Sequence, residues 1–204
     1  MYIPKAFRIE DRQEALAFVQ EHPFGVLVSS EEERPLATHL PFVIEEEAGE
    51  LFLASHWAKA NDQWKGLEGK EVLTIFSGPD AYISPSHYDA EESVPTWDHL
   101  SVHLYGSLEL IESDEEVREL LEKMIRCFEP AYMKQWEHLS ERYKSELIPG
   151  LKAFRIRVNE VQGQAKLSQD KSAKERERIA EQLTKSSRAS ERLLALYLKG
   201  SLSY

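Results

Sequence analysis

Alternation of apolar and polar residues is the strongest pattern in this chain, and it is clearest between residues 99 and 111. Every second residue there is apolar up to Leu108, while His99, Ser101 and His103 begin the opposite, polar face. A period of two predicts a β-strand with one buried face. Shorter apolar runs bounded by turn-forming residues predict further strands. These strands cover residues 24–29, 36–44, 51–55, 72–76, 81–84 and 153–161.

Turns and helices separate the predicted strands. The predicted turns and loops are residues 31–34, 45–50 and 85–96. Asp11 with Glu14, and Ser113 with Glu116, have the spacing of a capping box, which predicts a helix after each pair. The other predicted helices are residues 58–67, 130–150 and 171–199. Short antiparallel strands with helices at the edges indicate an α+β fold built on a barrel, with a C-terminal helical tail.

Composition is that of an ordinary globular protein, with 42% apolar residues in 204. We predict one domain over residues 1–170 and a helical extension over 171–204. No apolar run is long enough to span a membrane, and the first residues lack the apolar segment of a signal peptide. The single cysteine, Cys127, is expected to be a half-buried thiol. These features favour a cytoplasmic protein.

The net charge of −11 is unevenly distributed. Residues 152–199 contain twelve Lys or Arg and six Asp or Glu, which leaves about −17 on residues 1–151. An acidic body repels nucleic acid, so only the basic C-terminal segment is a candidate for contact with DNA or a regulatory protein. Such a segment more often packs on the acidic surface of its own fold or of a partner subunit.

Three kinds of site find little support in the sequence. His99 and His103 would share the face of a helix, but on a strand they lie roughly 13 Å apart, so one metal ion cannot join them. No Gly-x-Ser-x-Gly elbow, Walker loop or Gly-x-Gly-x-x-Gly motif is present. We therefore predict no metal site, hydrolase triad or Rossmann nucleotide site.

Three of the four tryptophans lie between His56 and Trp97, each beside polar side chains. Aromatic faces, amides and a cation together suit a flat, anionic aromatic ligand. Lys59 is predicted to open a short helix, where an ammonium and free amides could hold a phosphate. The alternative is that Trp57 and Trp64 are core residues and that Lys59 is merely solvated.

Several motifs in this region are distinctive. They are Ala37–Phe42, His56–Trp64, Gly78–Pro85, Val94–Trp97 and Lys166–Gln169. Together with the opening Met1–Lys5, they resemble the PaiB family of FMN-binding negative transcriptional regulators over about residues 1–171. The resemblance implies an antiparallel split β-barrel, similar to the pyridoxamine-phosphate-oxidase-like flavoproteins. It also implies a homodimer with FMN in a cleft built by both subunits.

The same resemblance implies roles for individual residues. Lys59 would bind the FMN phosphate, and the strand at residues 38–39 would follow the edge of the isoalloxazine ring. The full implied set is Thr38, His39, His56, Lys59, Asn61, Trp64, Tyr82, Ser84, Trp97, His103, Lys166, Ser168 and Gln169. Three positions depart from the family pattern: Asp62 replaces a usual Pro, and Asp98 and Asp170 replace usual Asn. An aspartate in place of an asparagine removes two donors and adds a negative charge.

The leading functional hypothesis is a PaiB-type repressor of sporulation and degradative-enzyme genes. No pair of residues has an obvious acid–base task, so enzyme activity is the second hypothesis. It would be that of a flavin-dependent oxidoreductase or a haem-degrading split-barrel protein. The third is a dimeric interaction module whose flavin site is empty.

Overall fold

The computed structural model describes residues 1–31 and 34–202. Eight strands form its sheet: β1 (Arg8–Ile9), β2 (Phe24–Glu31), β3 (Arg34–Pro41), β4 (Val43–Glu47), β5 (Glu50–Ala58), β6 (Glu71–Ile83), β7 (Thr96–Ile111) and β8 (Leu151–Lys166). The helices are α1 (Arg12–Glu21), α2 (Asp114–Phe128), α3 (Met133–His138), α4 (Glu141–Leu147), α5 (Ala173–Thr184) and α6 (Ala189–Leu198). No helix among these residues is long and apolar enough to cross a membrane.

The hydrogen-bonded order of the strands is β3-β2-β6-β7-β8-β5-β4, with β1 also beside β8. The pairs β1–β8, β2–β3, β2–β6, β4–β5 and β5–β8 are all antiparallel. The chain divides into two compact units. Unit 1 comprises Met1–His22, Phe76–His103 and the chain from Val161, and unit 2 comprises Pro23–Ile75 and Leu104–Glu160.

Unit 1 packs α1 on the strands through a fully buried Phe18. Asp11 caps this helix by accepting a hydrogen bond from the Gln13 amide at 2.8 Å. A Cβ at Gly78 would lie 2.8 Å from the Phe18 ring, so only glycine allows the helix this close to β6. Helices α5 and α6 form a hairpin, and the apolar end of α6 is buried at Leu194 and Leu198.

Unit 2 contains the β4–β5 hairpin, whose two turn residues Ala48 and Gly49 both have positive φ (51° and 86°). Such a turn matches the twist of the strands that it connects. Trp57 stacks on Phe154 with ring centroids 4.0 Å apart. Helix α2, capped by Ser113, packs Val117, Leu120 and Met124 against Val43, Ala54, Ile148 and Ala153.

The strong patterns are confirmed. Strand β7 buries every second residue from Asp98 to Leu108. The helices predicted after Asp11 and Ser113 are present as α1 and α2. The acidic turn predicted at residues 31–34 includes residues 32 and 33, which lie outside the described residues. The domain boundary predicted at residue 170 stays a prediction.

Several boundaries within the sheet are wrong. The single strand predicted at residues 36–44 is two strands, β3 and β4, separated by Phe42. Pro41 has no N–H, and the Phe42 amide instead donates to the Pro23 carbonyl at 2.8 Å. Conversely, the two strands predicted at 72–76 and 81–84 are one strand, β6, which continues through Pro79.

Three predictions about helices need correction. The helix predicted at residues 58–67 is only a single 3-10 turn, Asp62–Trp64, because the Lys59 amide donates to the Gly150 carbonyl instead. Residues 130–150 form α3 and α4 rather than one helix, since Ser140 starts a new cap. Residues 171–199 form the α5–α6 hairpin. Cys127 is exposed rather than half-buried.

Candidate functional site

Gln63 is the centre of a buried hydrogen-bond cluster in unit 2. Its Oε1 accepts from the Trp57 indole N–H at 3.3 Å. Its Nε2 lies 3.0 Å from Ser29 Oγ, 3.2 Å from the Leu27 carbonyl and 3.3 Å from the Leu36 carbonyl. The side chain therefore joins β5 to the β2–β3 hairpin. Both Trp57 and Gln63 serve the fold here, and neither is free for a ligand.

Asn61 fixes the start of the 3-10 turn. Its Oδ1 accepts from the Gln63 amide at 3.0 Å, and its Nδ2 donates to Thr38 Oγ1 at 3.0 Å. Two of the predicted site residues, Thr38 and Asn61, are therefore in direct contact. The half-buried Trp64 donates its indole N–H to the Lys59 carbonyl at 3.2 Å, which holds the backbone of Lys59.

Lys59 has an exposed side chain whose ammonium has no hydrogen-bond or ion-pair partner among the described residues. Its neighbour along the chain, Lys65, is instead paired with Asp62 at 2.7 Å. The predicted helix N-terminus at Lys59 is wrong, because its backbone amide is already used by Gly150. Of the phosphate site predicted at Lys59, only the ammonium of its side chain is still available to bind a phosphate.

Thr38 and His39 lie on β3, which is at one end of the sheet order. His39 is exposed and stacks on Phe24, with ring centroids 6.3 Å apart and an interplanar angle of 26°. Phe24 is itself 64% exposed. This open pair of flat rings, one on β3 and one on β2, can contact a planar ligand.

His56 lies in different surroundings from those expected. It lines a cavity with residues of α2 and α3, including Met124 and Trp136. Burial lowers the pKa of its imidazole, which therefore favours the neutral form. We no longer include His56 among the residues that hold a phosphate.

Tyr82, Trp97 and Arg188 form an open aromatic surface in unit 1, called here the Trp97 surface. The rings of Tyr82 and Trp97 meet edge to face, with centroids 6.0 Å apart. The Arg188 guanidinium lies over Trp97 at 5.8 Å and is paired with Asp80 at 3.3 Å. Tyr82 and Trp97 are 47% and 49% exposed, unusually high values for such large rings. Arg188 was missed in the sequence, where it appears as one of many charges in a helical tail.

Ser84 and His103 have local contacts. Ser84 caps the 3-10 turn at Pro85–His87 and lies 2.9 Å from Ser86 Oγ. The buried Nδ1 of His103 has no hydrogen-bond partner among the described residues. Burial and the N-terminal ammonium lower the pKa of His103. Both residues lie in unit 1, but no contact joins either one to the Trp97 surface in the described part of the chain.

The segment Lys166–Gln169 is held by its own side chains. Lys166 donates to Thr96 Oγ1, and its ammonium lies 5.8 Å from the centre of the Phe7 ring. Gln169 Oε1 accepts from the Leu167 amide at 2.7 Å. These contacts fix Lys166 and the backbone beside β7, which is where a cofactor contact was predicted.

Asp98 anchors the same segment from a fully buried position. It accepts a hydrogen bond of 2.6 Å from Ser168 Oγ, and Ser168 adopts a positive φ of 52°. The other carboxylate oxygen of Asp98 is buried with no partner among the described residues. Burial raises the pKa of Asp98 to about 6, although the Ser168 bond and Lys166 act in the opposite direction. Asp98 thus points into the protein instead of lying on the surface.

Most basic side chains of the C-terminal segment have a hydrogen-bond or ion-pair partner within the chain. Arg178 bonds Asp89 and the His87 carbonyl, and Arg188 bonds Asp80 and Glu191. Ten of the twelve basic residues between 152 and 199 have such a partner. Only Lys174 and Lys185 have none among the described residues. No group of three metal-ligating side chains occurs in the described residues either.

Comparison with known sequences gives a consistent result. Residues 1–160 match the family described as "Putative FMN-binding domain". The chain is 37% identical over 187 residues to protease synthase and sporulation protein PAI 2 of Bacillus subtilis, covering 90% of this chain and 89% of that protein. It is also 31% identical over 140 residues to an uncharacterized protein of Saccharomyces cerevisiae, YKL070W, covering 57% and 82% of the two chains.

Comparison with solved structures identifies the fold. The flavocytochrome Anf3 of Azotobacter vinelandii matches with a TM-score of 0.64 at 18% identity, over 80% of this chain and 72% of that one. A FAD- and haem-binding protein of Mycobacterium smegmatis matches with a TM-score of 0.61 at 15% identity, over 78% and 73%. The predicted α+β fold with an antiparallel split barrel and C-terminal helices is confirmed.

Proposed function

The chain belongs to the PaiB family of FMN-binding domains, and on that premise we propose that it is an FMN-dependent negative regulator of gene expression. FMN is the cofactor of that family. The observation that carries the proposal for this chain is the exposure of Tyr82 and Trp97 beside Arg188. A surface of this kind offers aromatic faces on which the isoalloxazine ring of a flavin can stack.

Individual residues of the predicted set suit particular parts of FMN. Lys59 supplies the free ammonium for the phosphate, and the Asn61–Thr38 contact fixes the backbone next to it. Tyr82 and Trp97 supply ring faces for the isoalloxazine, and Lys166 supplies a second cation. Bound FMN would contribute one- and two-electron redox chemistry or a redox-sensitive signal. The protein residues would hold its phosphate and shield its ring from water.

Regulation is proposed to act through a protein partner rather than by direct DNA contact. The body of the chain is strongly acidic, and two arginines of the C-terminal hairpin, Arg178 and Arg188, already bond Asp80, Asp89 and Glu191. These groups are not available for phosphates unless their ion pairs break. The PAI 2 relative is named for sporulation and protease synthesis, which supports a regulatory role. A homodimer in the cytoplasm is part of the same proposal.

The decisive experiment is a visible absorption spectrum of the purified protein, with the released cofactor identified by mass. A flavin spectrum with FMN released at one molecule per chain supports the proposal. Protein that remains colourless and does not bind added FMN would instead be an interaction module. Rapid NAD(P)H oxidation by the FMN-loaded protein would favour an oxidoreductase.

The regulatory part needs its own test. A gel-shift titration with promoter DNA at low salt should show no specific complex for the protein alone. A salt-sensitive complex that is lost on reversing the charge of Lys174 and Lys185 would contradict the proposed indirect action. Light scattering of the same samples checks the dimer.

A further inference from the structure

The cavity lined by His56 lies entirely within unit 2, between α2, α3, the end of α4 and the first residue of β8. Its volume is about 420 Å³, within the range of small-molecule sites. Apolar and aromatic side chains form nearly all of its wall. The lining residues are His56, Leu121, Met124, Ile125, Phe128, Glu129, Tyr132, Trp136, Leu147 and Leu151. We call this cavity the α2 groove.

His56 is a polar member of the wall of the α2 groove. His56 Nδ1 is buried and has no hydrogen-bond partner among the described residues. Burial also lowers the pKa of His56, so its ring is neutral near pH 7. By contrast, the indole N–H of Trp136 is already donated to Glu122 at 3.1 Å. A neutral imidazole in an apolar wall suits a ligand with a single hydrogen-bonding group.

The charge of the α2 groove restricts its occupant. Glu129 is the one charged side chain in the wall, and no Lys or Arg contributes to it. An anionic ligand such as FMN or a fatty acid would have no cation to pair with there, and it would face a carboxylate. Phe128 and Leu147, 43% and 37% exposed, leave an apolar surface for an uncharged or cationic molecule.

We propose that the α2 groove binds a small, mostly aromatic molecule that is uncharged or singly cationic and hydrogen-bonds to His56. The site is independent of the proposed flavin site, because none of its residues except His56 was assigned to FMN. A molecule held there would contact α2, α3 and β5 at the same time.

The first test compares two fluorescent probes that differ by one sulfonate group. N-phenyl-1-naphthylamine should bind with one-to-one saturation, and 1-anilinonaphthalene-8-sulfonate should bind about tenfold more weakly or worse. Ile125→Trp and Leu121→Trp fill the groove and should each abolish probe binding. Leu196→Trp adds the same ring at an exposed position of α6 and should leave binding unchanged. FMN affinity should be the same in all four proteins.

The second test isolates His56. Wild-type protein should bind 1-naphthol about threefold to tenfold more tightly than 1-methylnaphthalene, the worth of one neutral hydrogen bond. His56→Phe keeps a ring of similar shape and should remove that preference, while 1-methylnaphthalene binds as before.

Three results would overturn the proposal. They are a preference for the sulfonated probe, wild-type probe binding by the two groove-filling variants, and no saturable binding of N-phenyl-1-naphthylamine. Light scattering adds a fourth. If Ile125→Glu converts dimers to monomers and only the monomer takes up the probe, a second copy of the chain covers the groove.

Discussion

Trp57 and Trp97 have the same kind of neighbours in the sequence and opposite surroundings in the structure. Trp57 is fully buried, and its indole N–H donates to Gln63 Oε1. The Gln63 Nε2 also donates to Ser29 of the β2–β3 hairpin. Trp97 is half exposed, and its neighbours Tyr82 and Arg188 contact only its edge and face. Polar residues beside a tryptophan therefore indicate a ligand surface only where their hydrogen-bonding capacity is unused.

The largest expected effect tests the structural side of this contrast. Gln63→Leu should lower the free energy of unfolding by about 4 kcal/mol, because several buried groups lose a partner at about 1–3 kcal/mol each. Urea unfolding followed by fluorescence measures this change. Gln135→Leu, at an exposed position of α3, is the matched control and should change stability little. A stable Gln63→Leu protein with weakened FMN binding would reverse our assignment.

Asp98 supports the segment next to the Trp97 surface, and its test depends on pH. The pKa of Asp98 is raised to about 6 in the folded protein, so the folded state binds the proton more tightly than the unfolded state does. The stabilisation of the folded state by this tighter proton binding is fully present below about pH 4 and is lost as the pH rises through about 6. It amounts to about 3 kcal/mol in total. Asp98→Asn should remove this dependence and stabilise the protein at pH 8.

Unfolding curves between pH 4 and pH 8 check the Asp98 prediction. Asp170→Asn is the control, since Asp170 is exposed and pairs with Lys171. An identical pH dependence in wild type and Asp98→Asn would mean that the carboxyl is solvated. In that case, the Ser168 contact would not anchor the segment.

The Lys59 ammonium has no partner among the described residues, whereas the side chains of Asn61, Gln63 and Trp64 nearby are hydrogen-bonded. Lys59→Ala should weaken FMN binding by about 1.5–3 kcal/mol, the range for a hydrogen bond to a charged group. Fluorescence quenching of FMN on titration gives the dissociation constant. Lys65→Ala is the control, because Lys65 is nearby in the chain but paired with Asp62. If both variants bind FMN like wild type, the phosphate is held elsewhere.

Trp97 itself should give the smallest effect. Trp97→Ala removes one stacking face and should weaken FMN binding by about 1 kcal/mol with little loss of stability. Isothermal titration and thermal unfolding of the same preparation separate the two quantities. Trp64→Ala, which removes a half-buried ring from unit 2, serves for comparison. A large loss of stability in Trp97→Ala would place this ring in the core with Trp57.

The fold was predictable where a single local pattern decided the structure. The period of two in β7, and the caps at Asp11 and Ser113, depend on neighbouring residues and were confirmed. Residues 58–67 have helical propensity, but hydrogen bonds to distant residues decide their structure. The Lys59 amide donates to the Gly150 carbonyl, and Asn61 Nδ2 donates to Thr38 Oγ1. Local propensity is a weak guide where such long-range bonds compete with it.

The candidate site was less predictable for the same reason. The sequence indicated Lys59 and Trp97, but it could not separate them from Gln63, whose amide is fully used inside the protein. Arg188 lies 91 residues from Trp97 along the chain, so nothing local linked the two. The position of His56 in the wall of the α2 groove depends on how α2 and α3 pack, and no sequence motif indicates that packing.

The interleaving of the two units has a consequence for synthesis on the ribosome. The first strand, β1, pairs with β8 through Arg8 and Gln164, so the amino-terminal stretch lacks its partner until the last quarter of the chain has emerged. Unit 2 has all its residues once Glu160 is made, whereas unit 1 needs the stretch from Val161 as well. Pairings that span so many residues form slowly. Nascent chains stalled before β8 should therefore expose their first strand, β1, to chaperones and proteases.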